Sequence, residues 1–283
     1  MLQKALKHDM RATLPLWLFL SAITLATSLI LGLSLRDIVL NIMKEDYIPI
    51  FAILGLFLSI LVIVGYLIAT FIFVAVRFYQ NFFTDEGYLT FTLPVPRTTL
   101  FFSKVISGCV FVLASFAVLL FTLAVALTIA PSSPVEDTPL ISTLAEGLWD
   151  IFSTTFRNTN KPTLILQMVA VVAIGVVFIV YEVLAIYLCI TVGSVMAKKW
   201  KVAAAILCYY VANIAVNLIS TLGQFVALFG AAPFWLVLSS LPPITAGVVE
   251  LLLLIVAFSF FVILTSAIYR VCTHLIEKKL NLA

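Results

Sequence analysis

Six stretches of this chain, at about residues 14–35, 48–76, 105–130, 163–196, 202–229 and 247–269, run for twenty or more residues with almost no charge. A helix rises ~1.5 Å per residue, so ~20 apolar residues cross the hydrocarbon core of a bilayer. Inside that core no water satisfies the main chain, and a single apolar segment meets its own hydrogen bonds only as a helix. Only 10% of the residues are charged, against about 25% in a soluble domain. The sequence therefore predicts an all-α, polytopic membrane protein with six spans in a single transmembrane domain over 1–283. The second and fourth stretches exceed the minimum length, which implies tilt or extension past the bilayer. Residues 230–246 are apolar but broken by Pro233, Pro242 and Pro243; they read as an element dipping into the outer leaflet or as a plain connection.

Basic residues collect on the cytoplasmic side of membrane proteins. With the N-terminus inside, the inner segments hold Lys4, Lys7 and Arg11; Arg77, Arg97 and Lys104; Lys198, Lys199 and Lys201; and Arg270, Lys278 and Lys279. Only Arg36, Lys44, Arg157 and Lys161 fall outside. All four inner segments agree, so both ends are expected in the cytoplasm. The run at 14–35 is too long for a secretory h-region and no small-residue cleavage site follows it, so it reads as a retained span. Leu2, Leu6 and Met10 repeat at helical spacing opposite Lys4, Lys7 and Arg11, which suits a helix at the inner headgroups. In the outer connection, 131–162, Thr138 and Pro139 can start a helix. Its apolar face would be Leu140, Leu144, Leu148 and Ile151, with Glu146 and Asp150 turned to water. Trp17, Trp200 and Trp235 fall near the expected interfaces.

No catalytic constellation is present: there is no phosphate-binding GxxxxGK[ST] loop, no HExxH and no GxSxG. The chain is thus read as a non-enzyme that holds no cofactor or metal of its own. His8 and His274 lie far apart in sequence and read as interfacial residues. Cys109, Cys189, Cys208 and Cys272 stand singly within or beside apolar runs and read as small buried hydrophobes. A net charge of +3 gives no reason to expect nucleic acid. Glu182 stands ~21 Å from the inner end of the fourth span, a depth at which a carboxyl is costly unless paired. Tyr210, Asn213, Asn217, Ser220 and Gln224 recur at three- and four-residue steps along the fifth span. Glu182 with Tyr210, Asn213, Asn217 and Gln224 could line a substrate route or gate, or could be hydrogen-bonding glue between spans. Glu250, near the outer end of the sixth span, can reach the interface.

The connection over 77–104, RFYQNFFTDEGYLTFTLPVPRTTLFFSK, combines many aromatics with Asp85, Glu86, Arg97 and Lys104. Pro94 and Pro96 force an extended exit. It is long enough for a short helix at about 80–93 whose exposed Phe82, Phe83, Tyr88 and Leu89 could dock a partner, flanked by Asp85 and Glu86. A helix buried in headgroups is the other reading.

At TDEGYLTFTLPVPRTTLFFSK (84–104), and again at YLCITVGSVMAKKWKV (187–202), the chain resembles the ABC-2 type permeases, in particular bacterial ones of Gram-positive type. The resemblance covers essentially the whole chain and implies a type V exporter-like transmembrane domain in a bacterial plasma membrane. It further implies a second permease chain and separate ABC ATPase subunits that carry the ATP and Mg. Phe82, Phe83, Asp85, Glu86, Tyr88 and Leu89 would then form the ATPase-coupling helix. A secondary transporter and a non-transporting scaffold or sensor remain the rival readings. A membrane enzyme would need polar groups clustered at one interface, and none is visible.

Overall fold

A computed structural model describes residues 2–43, 47–84, 96–131, 139–158, 161–197, 200, 202–214, 216–218, 221 and 243–278. Helices dominate: α1 (Leu2–Met43), α2 (Ile50–Phe83), α3 (Arg97–Ile129), α4 (Leu140–Asn158) and α5 (Lys161–Met196). A shorter apolar helix, α6 (Val202–Leu218), follows, and α7 (Pro243–Lys278) closes the order. Five segments are long and apolar enough to cross a membrane: Leu6–Ile42, Ile50–Phe83, Arg97–Ile129, Leu164–Met196 and Val248–Glu277. The protein is a multi-pass helical membrane protein. The described part of the expected fifth span, α6, is shorter than the ~20 residues a crossing needs; the remainder of 202–229 lies outside the described residues, apart from Thr221. The stretch 230–242 lies outside them as well.

Several helices outrun their apolar cores. The 42 residues of α1 measure ~63 Å against a hydrocarbon thickness of ~30 Å. The N-terminal helix expected from Leu2, Leu6 and Met10 is the first part of α1, continuous with the first span through Pro15. Hydrophobicity marks where a helix can enter lipid, but the main-chain ladder propagates past that point as long as nothing breaks it. α2 likewise runs through Arg77 to Phe83, and α3 starts at Arg97, so the connection expected over 77–104 shrinks to the residues between these helices. In the outer connection, helix α4 starts at Leu140, and Pro139 is its cap: the Pro139 carbonyl accepts from the Ser142 N–H at 3.0 Å and from its hydroxyl at 2.7 Å.

Packing divides the chain into two compact units, one of Met1–Val74 with Ile106–Thr154, the other of Ala75–Val105 with Thr155–Ala283. The first is held by small and hydroxyl-bearing residues. Thr13, Ser21, Thr24, Thr27, Ser28 and Ser34 of α1 are all buried. Ser21 Oγ hydrogen-bonds Tyr66 Oη of α2 at 3.0 Å, and the Trp17 indole N–H donates to Ser115 Oγ of α3 at 2.8 Å. Thr70 of α2 donates to the same Ser115 oxygen at 3.3 Å. A Cβ added at Gly32 would meet the Ile129 side chain at 2.8 Å, so α1 and the end of α3 touch nearly backbone to side chain. In lipid, where burying apolar surface gains little, close approach and interhelical hydrogen bonds supply the adhesion.

In the second unit α5 and α7 pack along one another. Phe178, Tyr181 and Phe261 form an edge-on aromatic group between them. Gln167 of α5 donates to the Glu250 carboxylate of α7 at 3.2 Å. The end of α5 meets the start of α6 at Gly193, where an added Cβ would lie 2.5 Å from the Ala205 backbone. One turn further, the Cys189 and Cys208 thiols are in contact, as an antiparallel register through Gly193 and Ala205 requires.

Candidate functional site

The α2–α3 connection is set into the second unit by its two ends. Phe78 and Phe82, one helical turn apart on α2, point inward and are fully buried. Their rings stand 5.0 Å apart. Phe78 stacks on Tyr187 of α5 at 4.0 Å with 13° between the planes. Phe101 of α3, itself fully buried, meets Phe78 edge-on at 6.0 Å, Phe82 at 6.5 Å and Tyr269 of α7 at 5.5 Å. Edge-on and offset rings are the favoured aromatic geometries, each pair adding ~0.5–1.5 kcal/mol beyond area burial. Four helices thus meet on one aromatic core.

Polar contacts reinforce it. The Tyr187 hydroxyl donates to the Lys104 carbonyl at 3.2 Å, and Lys104 is buried. At the other end of the connection, the first residue of α3 reaches across to α7. Arg97 Nη1 donates to the carbonyls of Ile276 at 3.4 Å and Glu277 at 3.5 Å. These belong to the last turn of α7, whose carbonyls have no partner within the helix and carry its negative dipole end. A guanidinium there caps α7 and ties it to the connection.

Of the residues expected to anchor a partner, Phe82 is therefore corrected: its ring is interior and cannot seat in another protein without dismantling the core. Helical period explains the error, because Phe78 and Phe82 share the inward face while Tyr79 and Phe83 stack together beside it, half-buried, at 5.9 Å. Phe83 keeps partial exposure. Asp85, Glu86, Tyr88 and Leu89 lie outside the described residues.

Glu182 is half-buried on α5, between the aromatic group of Tyr181 and the buried Val183 and Leu184. No hydrogen bond joins it to the polar stripe among the described residues. Asn213 donates instead to Tyr209 O of its own helix at 3.1 Å, Tyr210 is 66% exposed and Asn217 is exposed. Gln224 and Ser220 lie outside the described residues. What sequence reading missed was the tie between Arg97 and α7 and the inward pair Phe78–Phe101; the four-residue step from Phe78 to Phe82 was the available signal.

Among the described residues, no group of three or more His, Cys, Asp or Glu is arranged to hold a metal ion. Fold and site together define a multi-pass α-helical membrane protein in which the end of α2 and the start of α3 pack against two other helices, α5 and α7. No protein-family model matches the chain, and no curated protein or solved structure shows significant similarity to it.

Proposed function

We propose that this chain is the membrane-spanning permease subunit of an ATP-driven exporter of ABC-2 type, with six spans, both ends in the cytoplasm of a bacterial cell, and a separate ATPase as motor. The observation that carries the reading is the double attachment of the α2–α3 connection, through Phe78, Phe82 and Phe101 to Tyr187 of α5 and through Arg97 to the end of α7. With the end of α2 and the start of α3 held in this way, a push on either would be passed to α5 and α7. ATP and Mg would be bound and hydrolysed on the partner, and a second permease chain would complete the substrate route. Phe83, Asp85, Glu86, Tyr88 and Leu89 face the ATPase in this reading, while Phe82 transmits the push inward. Glu182, with Asn213 and Asn217 at similar depth by helical rise and with Tyr210 and Gln224 further along the same stripe, would lie along the route.

The test is the complex purified with its partner. Charge reversal at Asp85 and Glu86 to Arg and Lys should loosen the ATPase or uncouple its turnover from transport, leaving the permease folded. Full assembly with unchanged coupled hydrolysis would overturn the assignment. A second reading, a secondary transporter, draws on one observation, a half-buried Glu182 well inside the expected fourth span with no hydrogen bond among the described residues. It requires ion-driven uptake by the purified chain alone, abolished by Glu182→Gln.

A further inference from the structure

We infer that α4 lies in the plane of the membrane, its apolar side sunk into the acyl boundary of the leaflet opposite the basic clusters. At its start, the Leu140 N–H donates to Ala130 O at 2.6 Å, and Pro131 pairs with Pro139 in an isolated β-bridge. Ala130 directly follows α3, which is uninterruptedly apolar from Val110 to Ile129 apart from Ser115, Thr122 and Thr128. The end of α3 thus sits at lipid depth, and so does the start of α4. At its other end, α4 stops at Asn158 and α5 begins at Lys161, with the apolar span starting at Leu164. α4 is not among the helices long and apolar enough to cross a membrane, so it ends on the side from which it starts. A helix of 19 residues is ~28 Å long, and with both ends on one side it lies along that surface.

Its faces fit that position. Leu144 and Leu148 are 49% and 67% exposed and Trp149 is 66% exposed. Leu140, Ile141, Leu144, Leu148 and Trp149 fall within one half of the helical circumference, while Ser142, Glu146 and Asp150 occupy the other, as an interfacial helix requires. Trp149, at the border between the two halves, has the residue type favoured at headgroup level. Along α4 the acids Glu146 and Asp150 outnumber the one base, Arg157, so anionic headgroups gain no net attraction to it. Apolar burial is the driving term, and a neutral phosphatidylcholine surface is sufficient. This inference is independent of the transport reading.

Site-directed spin labelling tests it on the full chain. Single cysteines replace Leu144, Glu146, Leu148 and Asp150 in a background lacking the four native cysteines, and each variant is reconstituted in phosphatidylcholine vesicles. Collision with oxygen, which concentrates in lipid, should peak at 144 and 148, and collision with a water-soluble nickel chelate should peak at 146 and 150. Replacing part of the lipid by phosphatidylglycerol should shift neither pattern. Nickel access at all four positions would overturn the inference. Loss of both collisions at 144 and 148 would overturn it too, by showing that protein rather than lipid covers the face. A lipid signal that needs phosphatidylglycerol would overturn the apolar driving force.

Discussion

Phe78 lies flat on Tyr187, the ring centroids 4.0 Å apart, and this stack joins α2 to α5 in the centre of an aromatic core that also takes in α3 and α7. Removing either ring opens a cavity that neither lipid nor water fills well. Phe78→Ala should destabilise the fold by roughly 3 kcal/mol, the low end for a buried phenylalanine because lipid is itself apolar. Tyr187→Phe keeps the stack and loses only the bond to Lys104 O, about 1 kcal/mol. Thermal melts in detergent, followed by size-exclusion recovery, should rank wild type, Tyr187→Phe and Phe78→Ala in that order.

Arg97 should matter to α7 more than to its own helix. Arg97→Ala removes the cation from the carbonyls of Ile276 and Glu277, a loss of about 0.3–2 kcal/mol by the usual worth of a charge at a helix end. Hydrogen exchange should quicken across residues 272–278 and stay unchanged in α1. Arg97→Lys should recover part of the protection, since charge survives while the forked donor geometry is lost.

Two glycines on α5 should respond in opposite directions. Gly175 has open space where a Cβ would stand, whereas Gly193 faces the Ala205 backbone at 2.5 Å. Gly175→Ala should stabilise by up to ~1 kcal/mol through helix propensity. Gly193→Ala should destabilise by ~1–3 kcal/mol, because α6 must move away. Thermal melts of the two variants provide the comparison.

Ser115 accepts from both Trp17 and Thr70. Ser115→Ala should weaken the first unit by about 0.6–2 kcal/mol, the range for interhelical hydrogen bonds in membranes. Combined with Trp17→Phe, the losses should be clearly less than additive in a double-mutant cycle. Additive losses would mean that the two side chains act separately.

Orientation can be read by labelling intact cells with a membrane-impermeant maleimide. In a cysteine-free background, Asp150→Cys should label from outside and Thr84→Cys only after permeabilisation. The reverse pattern would invert the topology expected from the basic residues.

The apolar runs made the membrane class and most of the helices legible, because a bilayer penalises polar residues steeply over a fixed length. Where each helix ended was not legible. The second run was read as stopping at Arg77, the first charge, yet α2 continues to Phe83, since outside the core hydropathy no longer governs helix length. That misplaced end is why Phe82 read as an exposed anchor. The buried hydroxyls of α1 were present as Ser21, Thr24 and Ser28 at steps of three and four, but their modest polarity disappears in any average over an apolar window. The tie of Arg97 to α7 had no local signal at all, as its partners are main-chain carbonyls and carry no residue signature.

The partners of Arg97 stand 179 positions further along the chain, which has a consequence for biogenesis. A ribosome adds ~5–20 residues per second, so the first residue of α3 waits roughly 10–35 s before the helix it caps has been made. Over that interval the face of Phe101 that Tyr269 will cover is open to lipid or to the insertion machinery. α7, made long after α3, thus completes the unit, and a nascent chain halted before Tyr269 would be threaded through the membrane with its aromatic core uncovered on that side.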